Sequence, residues 1–318
     1  MTLTQLRAFA LVARLGSLRA AAAVLGISEP AVSTALTALR ADLGDPLFVR
    51  AGGGIALTPG GHALARHAQE IVGLAEQARA DVAQAGPSTA RLRVLATAAF
   101  EEHASRALLD AFTRRVPDMA VDVTVGPSDG VATALIERSA DIALGAKPLM
   151  LQHVTMDVVP FLRYTRVVVA APGHPLASAA APVPVSTVLQ HRWLTGHAGI
   201  EVFAEEGKWL FSQSRLPELV RLPNETDALA AVRAGDGIAL ALSQVVRRDI
   251  DRGLLVRVPV SGTPIQGVWY ASTLGLGRAK DAAKILQRYV TTPDATAAML
   301  ASRRGDRPGP TVHVGLWS

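Results

Sequence analysis

Three helix starts and stops fall within the first 44 residues, and this punctuation constrains the chain more than any other feature. Leu6, Phe9, Ala10 and Ala13 share one helical face, and Gly16 closes that stretch with a residue free to take positive φ. Ser17 caps a second stretch, Leu18 to Leu25, which Gly26 stops. Ser28 caps a third, with Glu29 and Pro30 in its first turn. There a carboxylate suits the helix dipole, and the missing N–H of proline costs nothing. This third stretch buries Val32, Ala35, Leu36 and Leu39 and ends at Gly44. Helix, the short turn Gly26-Ile27, then helix is the spacing of a helix-turn-helix, and the small residues Ala20 to Ala23 permit the close crossing it needs. A hairpin follows, Leu47–Arg50 and Ile55–Leu57 around a loop at 51–54, which makes the unit winged. By itself the pattern fits any small three-helix domain as well as a DNA-binding one.

Thr58 then caps, and Pro59 opens, a long helix over 59–84, about 37 Å at 1.5 Å per residue. Leu64, Ala68, Ile71, Ala75, Ala78 and Val82 are spaced 4, 3, 4, 3, 4, a heptad seam that predicts pairing with a second copy. The cluster Gln84-Ala85-Gly86-Pro87-Ser88 ends the helix. Beyond it, short β-branched runs alternate with helical patterns, the signature of a parallel α/β fold. Strands are expected at Leu92–Ala96, Val121–Val125, Ile142–Gly145, Val154–Phe161, Arg166–Ala171, Ile238–Leu242, Leu254–Val258 and Ile265–Ala271. A tail, 301–318, carries Gly305, Pro308, Gly309 and Pro310 and is expected to be disordered.

The chain has 318 residues, 49% of them apolar, enough for two or three compact units. No apolar run approaches the roughly 18 residues of a membrane span, and the N-terminus lacks the layout of an export signal, so a cytoplasmic protein is expected. The absence of cysteine excludes disulfides and thiolate chemistry. The eight histidines show no metal-ligand spacing, there is no Gly-x-Ser-x-Gly elbow, and Gly207-Lys208 lacks the rest of a P-loop. No enzyme, cofactor or metal is therefore expected. The net charge of +5 points only weakly to an acidic partner.

A denser signal lies in particular residues. Gln5-Leu6-Arg7-Ala8-Phe9, Gly16-Ser17-Leu18, Ala20-Ala21-Ala22, Ser28-Glu29-Pro30-Ala31-Val32-Ser33, Leu43-Gly44-Asp45-Pro46-Leu47-Phe48-Val49-Arg50 and Leu57-Thr58-Pro59-Gly60-Gly61 resemble the LysR-type transcriptional regulators. The resemblance continues more loosely through Asp141-Ile142-Ala143-Leu144-Gly145, Pro172-Gly173-His174-Pro175-Leu176 and Ala231-Val232-Arg233-Ala234-Gly235-Asp236-Gly237. It implies a winged helix-turn-helix over 1–59, a linker and dimerisation helix over 60–87, and an effector-binding domain over 91–295. That domain would be two α/β subdomains of periplasmic-binding-protein type, one from 91–162 with 268–295 and the other from 163–267, joined by crossing strands.

The implied function is a DNA-binding transcriptional regulator, a dimer or dimer of dimers on a promoter inverted repeat that responds to a small effector. Its DNA face would present Ser28, Glu29, Pro30, Ser33, Thr34 and Thr37, with Arg50 of the wing beside phosphate. Glu29 and Thr34 stand where the family usually has glutamine and arginine, which implies a different site preference. The effector cleft would involve Thr97, Ser128, Thr195, His197 and Asn224, whose donors suit a carboxylate or phosphate. The alternative is a small-molecule sensor that has lost specific DNA binding.

Overall fold

The computed structural model describes residues 1–51, 54–83, 90–149, 154–196, 199–200, 204–213, 216–301 and 313–316. Two compact units result: one centred on residues 1–88, with 133–140 grouped to it, and one on the rest of 89–318.

In the first unit, α1 (Leu3–Leu15), α2 (Leu18–Leu25) and α3 (Glu29–Leu43) are each closed by a glycine in the left-handed region, Gly16, Gly26 and Gly44, with φ of 64°, 66° and 67°. Ser17 and Ser28 cap α2 and α3 as the sequence predicts, and Thr2 with Gln5 forms a capping box on α1. The core is Leu6, Phe9, Val12, Ala21, Val32, Leu36 and Leu39. The wing is the antiparallel pair β1 (Phe48–Ala51) and β2 (Gly54–Leu57). Its base is tied to the start of α4 (Pro59–Ala83) through Asp45, whose carboxylate accepts from Leu47 N at 2.6 Å and from the Thr58 hydroxyl at 2.7 Å. Two glycines permit that approach. A Cβ on Gly60 would lie 2.0 Å from the Asp45 carboxylate, and one on Gly61 would lie 2.1 Å from the Leu47 carbonyl.

The second unit is built on one ten-stranded mixed sheet. It begins with β3 (Ala90–Thr97), the short helix α5 (Ala98–Phe100), a π-helical turn at Glu101–Ser105, and α6 (Arg106–Arg115). Then come β4 (Met119–Gly126), α7 (Val131–Ile136), β5 (Ile142–Gly145) and β6 (Met156–Ala170). The chain continues through α8 (Val185–Val188), β7 (Trp193–Thr195), α9 (Glu205–Phe211), β8 (Leu219–Arg221), α10 (Glu225–Ala234) and β9 (Ile238–Leu242). It ends with α11 (Ser243–Asp251), β10 (Val256–Val258), β11 (Ile265–Leu274), α12 (Asp281–Tyr289), α13 (Pro293–Leu300) and β12 (His313–Leu316).

The strand order is β12-β4-β3-β5-β11-β6-β9-β7-β8, with β10 on β6. Strands β4, β3 and β5 are parallel, as are β9, β7 and β8, and the two groups are bridged by the antiparallel pair β6 and β11. The sequence pattern divides β6 into two strands at Leu162–Thr165, where alternation weakens. The pairing of Leu162, Arg163, Tyr164 and Thr165 with Trp269 to Gln266 of β11 keeps the chain extended across that stretch. On either side of the bridge lies a separate core. One gathers Leu92, Phe100, Leu109, Phe112, Ile142, Trp269 and Leu286, and the other gathers Val168, Val188, Trp193, Leu210, Ile238 and Val258. Strand β12 lies in the tail expected to lack regular structure, where His313–Leu316 run parallel to Asp122–Val125 of β4. The glycine and proline cluster before it does not prevent a four-residue segment from adding to a sheet edge.

Candidate functional site

In the first unit, Ser28, Glu29, Pro30, Ser33, Thr34 and Thr37 of α3 are all exposed, as is Arg50 on the wing. They sit opposite the buried Val32, Leu36 and Leu39, so the 3.6-residue period alone separates a core face from a free face. The two threonines donate to backbone carbonyls one turn back, Thr34 to Pro30 O and Thr37 to Ser33 O, each at 2.9 Å. Arg40, at the far end, lies over the Phe48 ring at 5.8 Å and braces α3 against the wing.

The second unit holds a cleft between its two sets of parallel strands. It is lined by Ala98, Ala99 and Glu102 from one side, Arg166 from the bridging strand, and Thr195, Gly196, Ile200, Glu206 and Glu225 from the other. The enclosed space is about 40 Å³, room for a water or an ion and far below the several hundred of an open ligand pocket.

Each charged group in this cleft is placed by an identifiable element. Phe100, fully buried, packs edge-on against Trp269 at 5.1 Å and Phe161 at 5.6 Å, and so anchors the π-helical turn that carries Glu102 and His103. Gly267, opposite Tyr164 in the β6–β11 ladder, leaves the space that the Tyr164 ring occupies, since a Cβ there would fall 2.1 Å from the ring. The Tyr164 hydroxyl donates to Glu206 Oε2 at 3.1 Å. Gly196 lets its loop approach the start of α10, where a Cβ would lie 2.8 Å from Glu225 N. Arg166, with 8% of its side chain exposed, faces Glu206 Oε1 at 3.1 Å and Glu225 Oε1 at 3.8 Å and donates to Leu240 O at 3.3 Å. Glu225 Oε2 lies 2.7 Å from His103 Nε2, and Glu225 N donates to Glu102 Oε1 at 2.6 Å.

The electrostatics follow from that crowding. Burial pushes Glu225 up, but the hydrogen bond and charge of His103, with the charge of Arg166, outweigh it and hold the carboxyl below its ordinary value. Burial, and after it the Glu225 charge, push Glu102 up. Among the described residues lining the cleft there are three carboxylates, Glu102, Glu206 and Glu225, against one guanidinium. That is not the donor-rich lining expected for an anion.

The sequence-derived cleft residues divide. Thr195 lines the cleft. Asn224 caps α10, accepting from Asp227 N at 2.8 Å, and so places its neighbour Glu225. Thr97 is 1% exposed and accepts from Ala146 N at 3.2 Å, packed on Gly145, which has φ of 128°. Ser128 is likewise buried, and neither Thr97 nor Ser128 is among the lining residues. His197 lies outside the described residues.

Comparison with known proteins decides the family. Residues 3–62 match the model of bacterial regulatory helix-turn-helix proteins of the lysR family, and residues 85–290 match the LysR substrate binding domain. The chain belongs to the LysR family of transcriptional regulators. An HTH-type transcriptional regulator of Mycobacterium tuberculosis is 38% identical over 328 residues, spanning all of both chains. Among solved structures, ArgP from Mycobacterium tuberculosis superposes with a TM-score of 0.58 at 22% identity, over 95% of this chain and 98% of that one. Full-length LysG from Corynebacterium glutamicum, with bound effector Arg, gives 0.56 at 18% identity, over 93% and 98%.

For this LysR regulator, sequence reasoning missed Glu102, His103, Arg166, Glu206 and Glu225. One signal was available: Arg166 stands alone at the head of the apolar run Val167-Val168-Val169-Ala170, where a buried charge demands partners. The others come together only through the sheet, His103 and Glu225 across 122 residues.

Proposed function

We propose that this LysR regulator binds a short inverted repeat as a dimer, one α3 in each of two successive major grooves, and that an effector in the cleft alters its grip. The observation that carries the reading is the presence, in one chain, of an exposed and fully capped α3 face and a cleft lined by three carboxylates and a guanidinium. Such a regulator works in the cytoplasm with its DNA, and among the described residues no single helix is long and apolar enough to cross a membrane.

The dimer rests on α4. Ala68 of the heptad seam is buried in the core of its own N-terminal unit, with Leu64 packed against it. Ile71, Leu74 and Val82 are 40%, 56% and 77% exposed, an apolar stripe whose burial against a second copy is favourable. Leu74, rather than the half-buried Ala75, is the residue this surface offers.

The charge of the cleft favours a positively charged effector over the carboxylate or phosphate that the resemblance implies. An anion would have to take Arg166 from Glu206 and Glu225. The arginine carried by the Corynebacterium regulator supports a small charged molecule as the class of effector.

The test is selection of genomic fragments by the purified full-length protein at low and near-physiological salt. Enrichment of a few sites holding a short inverted repeat is the expected result. Binding without enrichment, vanishing as salt rises, would instead make the chain a sensor without specific DNA recognition.

A further inference from the structure

We propose that Glu102, His103 and Glu225 form a binding site for one divalent transition-metal cation, and that this cation is an effector of the regulator. The proposal rests on the reading of the cleft as the effector site. One ligand atom from each of the three residues lies within 4.8 Å of those from the other two. Metal bonds of about 2.0–2.2 Å to nitrogen and oxygen put neighbouring ligand atoms about 3.0–3.5 Å apart, so the cluster needs only side-chain adjustment to close around an ion. His103 Nε2 and Glu225 Oε2, now 2.7 Å apart, would open slightly as the ion replaces the proton between them. Imidazole with two carboxylates is a donor set for manganese, iron, cobalt, nickel or zinc rather than for calcium.

Two further observations point to a cation here. The first is charge. With His103 neutral, as a metal ligand must be, Glu102, Glu206, Glu225 and Arg166 sum to −2, which one divalent ion cancels. The second is an incomplete carboxylate. Glu225 Oε1 makes no close side-chain hydrogen bond, its guanidinium neighbour standing off at 3.8 Å. Glu102 and His103 follow β3 in one subdomain, and Glu225 opens α10 in the other. An ion held by all three therefore clamps the two subdomains together, which is the event an effector must produce.

The experiment takes the full chain stripped with chelator and dialyses it against zinc, manganese or cobalt ions alone, reading bound metal by elemental analysis and cobalt by its visible absorption. One ion per chain is expected, with affinity reduced more than tenfold in His103→Asn and in Glu225→Gln. It should be unchanged in His191→Ala, which removes the other close histidine pair, His174 and His191. Thermal unfolding of each metal-free variant establishes that it is folded, and either ligand variant suffices if the other does not fold. No stoichiometric ion, or binding that survives both ligand variants, overturns the proposal. Genomic selection by the metal-free and metal-loaded chain separates the two readings. Selection that persists without any metal binding sinks the metal site alone, whereas metal binding without selection sinks the regulator reading of this cleft.

Discussion

Arg166 is the group whose removal should say most about the cleft. Its guanidinium is 8% exposed and its partner Glu206 is 5% exposed, so the pair sits 3.1 Å apart with little solvent to screen it. Arg166→Met keeps most of the aliphatic stem and deletes the charge. Glu206 then loses its cation, and Glu225 keeps only His103. Removing one partner of a buried pair costs about 3–5 kcal/mol, against 1 or less for a surface pair. A unit of roughly 200 residues shifts its midpoint by about 2–4 °C per kcal/mol, so a fall of about 6–20 °C is expected. The assay is unusually clean, because no tryptophan precedes residue 88, and the fluorescence of Trp193, Trp209 and Trp269 follows the C-terminal unit. Glu206→Gln retains an acceptor for the Tyr164 hydroxyl and should cost about 1–3 kcal/mol by itself. The double variant should lose at least about 1.5 kcal/mol less than the sum of the singles, since coupled groups in contact are not additive. A loss below about 1 kcal/mol for Arg166→Met, or additivity within about 0.5 kcal/mol, would refute the claim that these charges are held for one another.

Three other outcomes are expected. Arg50→Ala on the exposed wing should weaken binding to all DNA sequences alike and lower the slope of log affinity against log salt by about 1, measured by titration at several salt concentrations. Leu74→Glu places a charge in the exposed stripe of α4 and should turn a dimer into a monomer at micromolar concentration in analytical ultracentrifugation, leaving the helicity seen by circular dichroism intact. His174 accepts from Leu176 N at 3.2 Å through Nδ1, and burial, with the His191 charge behind it, holds its pKa below the ordinary value of 6.5. A depressed histidine contributes stability that is present above its unfolded pKa and lost as pH falls through that value. The melting temperature should therefore drop between about pH 7 and pH 5, and His174→Gln should flatten the drop.

Much of the fold was legible because its determinants are local. A serine that accepts from the third amide of its helix, or a glycine at φ near 65°, acts over four residues, so Ser17, Ser28, Gly16, Gly26 and Gly44 could be read correctly without any partner. Strands β5 and β9 were equally plain, each a fully buried apolar run with identical bounds in sequence and structure. Where residues look alike, the sequence alone could not say which would meet a ligand. Thr97 and Thr195 both end strands, yet the Gly145 backbone seals the first while the second opens on the cleft. Asn224 was visible as a cap, but its neighbour Glu225 is the group with chemistry.

The amino-acid order by itself therefore determined the winged helix-turn-helix, the exposed face of α3, the long helix and the α/β character of the remainder. Only the tertiary structure decided that β6 and β11 run unbroken between two cores, that part of the heptad seam serves its own chain, and that Glu102, His103, Arg166, Glu206 and Glu225 meet. The physical reason is range. Caps, turns and periodic faces are settled by interactions within a few residues. A cluster of charges is settled by which strands lie side by side, and that choice is made by the burial of the whole sheet.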